Sequence, residues 1–142
     1  MHGANTEKLR IMSRTENLRS VRNFVAAKAR QFGFSEDEVQ NIILAVDEAC
    51  TNIIKHGYNG NPDKFIDIMI DASSNVFEVR IYDTGRTFDP SAVKPPAVQK
   101  NMQRHERGGY GLFLMKNLMD EVEFVFKPDV PNELRLRKYL SK

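Results

Sequence analysis

The stretch from Ile42 to Gly60, IILAVDEACTNIIKHGYNG, restricts the fold more than any other, because its apolar residues recur with the period of a helix. At about 100° per residue, Val39, Ile42, Val46, Ala49, Cys50, Ile53 and Ile54 fall on one broad arc. Glu48, Asn52 and Lys55 fall on the other side. Glu48 and Asn52 are four residues apart, so their side chains stand one turn from each other and can reach a single ligand or ion together. Taken alone, the helix is better explained by a solvated polar face; two later glycine-bearing segments change that balance.

In chain order, Glu7–Ser13 alternates weakly and reads as a short edge strand. Thr15 is placed to cap a helix with Leu18, Val21, Val25 and Ala29 at helical spacing and Gly33 at its end. Ser35 opens the Glu48 helix, with Glu36, Asp37 and Glu38 in the first turn, where the helix dipole favours negative charge. The run His56–Pro62 is expected to stop it.

Lys64–Ala72 and Val76–Tyr82 alternate with period two and form a hairpin through Ser73-Ser74-Asn75. The second strand ends abruptly in Asp83-Thr84-Gly85-Arg86-Thr87-Phe88-Asp89-Pro90. A long polar loop, Ser91–Arg107, follows and has the composition of a lid or a disordered connection. Gly108-Gly109-Tyr110-Gly111 then runs into LFLMKNLMDEV, with Leu112, Met115, Leu118 and Met119 at helical intervals. Glycines before a helix start allow close backbone approach to an anion, although a hinge before an amphipathic helix explains them as well. Val122–Lys127 and Glu133–Leu140 complete the chain as two strands. The expected class is α+β: a two-layer sandwich of a mixed, mostly antiparallel sheet with helices on one face.

With 142 residues, 41% of them hydrophobic, the chain reads as a single domain spanning 1–142. A net charge of +2 with no basic run gives no reason to expect nucleic acid as a partner. One cysteine excludes an internal disulfide, and the absence of a long apolar run or leader argues against a membrane; the expected location is cytoplasmic.

The order of the pieces, DEACTNIIKHGY, then DTGRTFDP, then GGYGLFLMKNLMDEV, resembles the three nucleotide-binding boxes of the Bergerat-fold (GHKL) ATPases. Within that superfamily it is most similar to the small bacterial anti-sigma-factor serine/threonine kinases. The resemblance implies ATP and Mg²⁺ as cofactors. It implies Glu48 as the catalytic group that accepts or orients the proton of a serine hydroxyl, and Asn52 as the oxygen ligand of nucleotide-bound Mg²⁺. Asp83 would accept a hydrogen bond from the adenine amine, with Gly85 leaving room for the base. Gly108, Gly109 and Gly111 would let the loop close over the triphosphate, and the helix start at Leu112 would supply amide donors. Arg107 is placed either to offset phosphate charge or as a solvated lid arginine; Lys55 has the same two readings, and His56 is structural. Members of this branch often carry a Gly-Thr or Gly-Ser pair before the last strand, where this chain has Pro131-Asn132-Glu133-Leu134.

The function so implied is phosphorylation of a STAS-type anti-anti-sigma protein, together with sequestration of a sigma factor, by a homodimer. Two other readings use the same boxes: a non-catalytic ATP-binding module that holds a partner, and a switch-type activator of a phosphatase.

Overall fold

The computed structural model describes residues 5–87 and 109–141 of the chain. In order these form β1 (Asn5–Met12), a 3-10 turn (Thr15–Asn17), α1 (Leu18–Phe32), α2 (Glu36–Asn52), a π-helical turn (Ile53–Gly57), β2 (Phe65–Ser73) and β3 (Val76–Asp83). Then come α3 (Gly109–Leu118), β4 (Glu121–Val125) and β5 (Asn132–Tyr139). The expected lid over Ser91–Arg107 lies outside the described residues, as do Arg107 and Gly108.

The five strands make one sheet in the order β1-β2-β3-β5-β4, with β1 at an edge as its weak alternation suggested. Every described pairing is antiparallel, so the sheet is not mixed. Period-two alternation decides which side chains meet the helices. Ile66, Ile68 and Ile70 of β2, Phe77, Val79 and Ile81 of β3, and Leu134 and Leu136 of β5 are buried in one core with the apolar arcs of all three helices. Each such side chain contributes roughly 1.5–3 kcal/mol on burial. The intervening residues face the other way, where Glu78 is held between Arg80 and its cross-strand partner Arg137. No helix among the described residues is long and apolar enough to cross a membrane.

Thr15 does not cap α1. It opens the 3-10 turn, and Asn17, the residue before the α-helix, is already helical at φ −84° and ψ −6°, so no extended capping residue is present. Gly33 does end α1, in the left-handed conformation at φ 117°.

Ser35 caps α2 reciprocally: its hydroxyl oxygen accepts from the Glu38 N–H at 3.2 Å, and the Glu38 carboxylate accepts from the Ser35 N–H at 2.9 Å. Ser35→Ala is expected to cost about 1 kcal/mol, read as a lower denaturant midpoint with an unchanged slope. An unchanged midpoint would mean that packing alone sets the start of the helix that carries Glu48 and Asn52.

Candidate active site

Burial of Val39, Ile42, Val46, Ala49 and Cys50 against the sheet turns the opposite side of α2 outward, and this places Glu48 and Asn52 on one partly exposed face. The helical run ends at Gly57, within the segment His56–Pro62 expected to stop it, but its last turn is not α-helical. Beyond Asn52 it widens into the π turn, closed by the Tyr58 N–H on the Ile53 carbonyl at 2.7 Å. Wide turns of this kind recur at functional sites.

α3 packs against α2, and its first turn brings Gly111 onto Glu48 and Asn52. A Cβ at Gly111 would lie 2.5 Å from Glu48 Oε2 and 2.9 Å from Asn52 Nδ2, so the three residues meet only because position 111 lacks a side chain. Glu48 is half-buried. Burial first, and the adjacent Asp47 charge second, push its carboxyl above the ordinary glutamate range, while Lys55 pulls it back. A carboxylate tuned upward and set beside a glycine-lined helix start is suited to taking a proton from a hydroxyl. The Leu112 side chain is buried in the core, which leaves only its backbone for the site.

A second cluster forms where β3 ends. Asp83 Oδ1 accepts from the Gly85 N–H at 2.7 Å and from Asn132 Nδ2 at 3.0 Å, and the same Asn132 nitrogen donates to the Gly85 carbonyl at 2.9 Å. Burial pushes the Asp83 carboxyl up, and the bonds from Asn132 and Gly85 oppose it. Gly85 is pressed against the π turn: a Cβ there would collide with the Gly57 carbonyl, the same oxygen that accepts from the Arg86 N–H at 2.8 Å. The Tyr58 hydroxyl accepts from the Thr84 N–H at 2.9 Å and donates to the Phe65 carbonyl at 2.5 Å, tying the corner to β2. An open groove of about 320 Å³, lined by Thr84, Gly85 and the turn Asp129–Asn132, flanks this corner rather than the Glu48 cluster.

The structure thus unites Glu48, Asn52 and Gly111, and separately Asp83 and Gly85, with the π turn linking the two groups. Gly57 shows the link: its own Cβ position lies 3.8 Å from both Asp83 Oδ1 and an Ile53 methyl. Gly109 is the first residue of α3. Lys55 and His56 are exposed on the π turn. Sequence reasoning missed Gly57, Tyr58 and Asn132. The glycine and tyrosine carried a signal, since both stand in the helix-ending run, but the pairing of Asn132 with Asp83 depends on strand register.

Residues 11–138 match the family model described as the histidine kinase-like ATPase domain. The anti-sigma F factor of Halalkalibacterium halodurans is 33% identical over 138 residues, covering 97% of this chain and 94% of that protein. A serine-protein kinase RsbW of the same organism is 30% identical over 146 residues, covering 100% and 88%. The serine-protein kinase RsbW of Bacillus cereus is 28% identical over 139 residues, covering 95% and 85%. Among solved structures, that of the RsbU and RsbW domains of Rv1364c from Mycobacterium tuberculosis superposes with a TM-score of 0.63 at 16% identity. The match covers 97% of this chain but only 32% of that one, and it supports the fold alone. The resemblance carried by the three boxes is therefore borne out: the chain belongs to the histidine kinase-like ATPase domain family.

Proposed function

We propose that the protein is a Mg-ATP-dependent serine/threonine kinase that phosphorylates a STAS-type anti-anti-sigma protein and, in its other complex, sequesters a sigma factor. The observation that carries this reading is the packing of Gly111, at the start of α3, onto Glu48 and Asn52. Relatives along nearly the whole chain named as serine-protein kinases and an anti-sigma factor support it.

The residues fit a magnesium-chelated nucleotide on two counts. The first turn of α3 approaches without a side chain at Gly111, and the carboxylate of Glu48 and the carboxamide of Asn52 stand together against it, two groups that carry the hard oxygen donors Mg²⁺ prefers. When bound, Mg-ATP supplies a terminal phosphoryl group made electrophilic by the metal. Asn52 would ligate the metal through its amide oxygen. The first amides of α3, from Gly109 through Leu112, would face the phosphates with the positive end of the helix dipole behind them. Gly108 and Arg107, which precede α3 in sequence, would act on the same phosphates. Asp83 would accept from the base amine, and Gly85, seated on Gly57, would leave the base its space. Glu48 would hold the acceptor serine and take its proton. The protein acts in the cytoplasm as a homodimer, and phosphate added to the partner, with nearly two negative charges, switches which complex forms.

The test is incubation of the full chain with γ-labelled ATP, Mg²⁺ and a STAS-domain protein. Label on a serine or threonine of the partner is expected; tight nucleotide binding without label would leave a binding module and reject the kinase. Asn52→Ala is expected to weaken ATP binding about tenfold or more with Mg²⁺ present and little in EDTA. Equal affinities for the variant and the wild type under both conditions would remove Asn52 as the metal ligand.

A further inference from the structure

Building on that kinase reading, we infer that Asn132 is the positioning residue that sets base specificity: by clamping Asp83 to Gly85 it holds the Asp83 carboxylate as an acceptor, favouring a base that offers an amine over one that offers a carbonyl. Asp83 and Asn132 are direct cross-strand partners at the ends of β3 and β5. They continue the alternation of the buried Ile81 and Leu134, so both belong to the helix side of the sheet, where Asn52 ends α2.

One nitrogen, Asn132 Nδ2, spans Asp83 Oδ1 at 3.0 Å and the Gly85 carbonyl at 2.9 Å, and the Gly85 N–H reaches the same Oδ1 at 2.7 Å. Two donors on Oδ1 fix the rotation of the carboxylate, and Oδ2 is then the oxygen that would meet the base. Adenine presents an exocyclic amine at the position where guanine presents a carbonyl. An ionised carboxylate accepts from the first and repels the second, whereas a protonated carboxyl can donate to the second. Discrimination therefore requires that Asp83 stay ionised although it is largely buried.

Among the described residues, burial is the largest influence on Asp83, and the donors on Asn132 and Gly85 oppose it. From α2, the Cys50 thiol lies within electrostatic reach of Asp83; burial pushes it up to about 12, so it carries no charge. The π turn carries Lys55 and His56, both exposed, and the Tyr58 hydroxyl just beyond it is engaged with Thr84, the residue after Asp83. Asn132 on β5 and the Gly85 amide thus act against the burial that favours the protonated form of Asp83. Asn132 stands in the segment Pro131–Leu134, where this chain departs from the Gly-Thr or Gly-Ser pair often carried by the branch it resembles.

The test titrates the full-length wild type, Asn132→Ala and Asn132→Thr with Mg-ATP and Mg-GTP across a range of pH, with circular dichroism confirming the fold at each point. Asn132→Ala is expected to bind ATP about tenfold more weakly and to lose a similar factor in preference for ATP over GTP. The pH at which ATP affinity falls should move upward, because Asp83 takes up its proton sooner. Asn132→Thr restores a donor and should recover most of both effects. An alanine variant that weakens ATP binding but leaves the ATP-to-GTP ratio and the pH midpoint unchanged overturns the inference, since a merely structural role gives that result. So does a variant indistinguishable from wild type; in both cases the kinase reading survives. Failure of the wild type to bind ATP overturns both.

Discussion

Glu48→Gln is expected to slow phosphoryl transfer by about a hundred- to ten-thousandfold, the usual contribution of a positioned general base. Its ATP affinity should stay within about tenfold of wild type, because Asn52, the α3 amides and the Asp83 corner are untouched. The amide keeps the shape of the carboxylate beside Gly111, so loss of rate with retained affinity isolates proton transfer from packing. Transfer by the wild type should also fall at a pH above the ordinary glutamate range, since burial and Asp47 raise the Glu48 carboxyl. Stability moves the opposite way. A raised native pKa means that the folded form holds its proton more tightly than the unfolded chain. The stability this contributes is fully present below the unfolded value and is lost as pH rises through the folded one. The glutamine variant should therefore melt no lower than wild type at neutral pH, and its relative gain should shrink in acid. A glutamine variant that transfers at the wild-type rate would remove Glu48 from its role.

Gly85→Ala is expected to destabilise the fold by about 3 kcal/mol and to abolish measurable nucleotide binding. The added methyl would meet the backbone of Gly57, whose carbonyl carbon lies 2.5 Å from the Cβ position, and backbone cannot swing aside as a side-chain tip can. Either the π turn or the Asp83 corner has to move, and the contact between them goes with it: the Arg86 N–H loses the Gly57 carbonyl, and the Tyr58 tie to Thr84 is strained. Chemical denaturation and nucleotide titration read the two effects separately. A variant as stable as wild type that still binds ATP would show that the two backbones are not wedged together.

What could be read without coordinates followed from how far apart the cooperating residues lie. Glu48 and Asn52 share one helix, so their common face follows from its period, and the apolar arc opposite them is the buried one. The hairpin of β2 and β3 was equally plain, because alternation and a short turn are local signals. Gly85 and Gly111 were visible as glycines but not as contacts. Each reads as turn or hinge chemistry until a distant segment is known to press on it, and the resemblance to a known family, rather than spacing, suggested their roles. The π turn was illegible, since Ile53–Gly57 contains nothing that separates a widened turn from a helix running into its stop. Asn132 was hidden for another reason: its partner is set by the β3–β5 register, which arises from long-range pairing of Val79 with Leu136 and Ile81 with Leu134. Thr15 misled because a hydroxyl near a helix start signals a cap only when the backbone before the first α turn is extended, and here a 3-10 turn intervenes.

The most direct measurement of the central claim, that one nucleotide lies from the Asp83 corner to the start of α3, is amide chemical-shift mapping of the labelled protein titrated with Mg-ATP. Saturable shifts are expected at Asn52, Gly85 and Gly111 together with the Asn132 side-chain amide, all fitting one dissociation constant. Saturable shifts confined to other surfaces, or shifts at Gly85 and Gly111 that titrate independently, would contradict it.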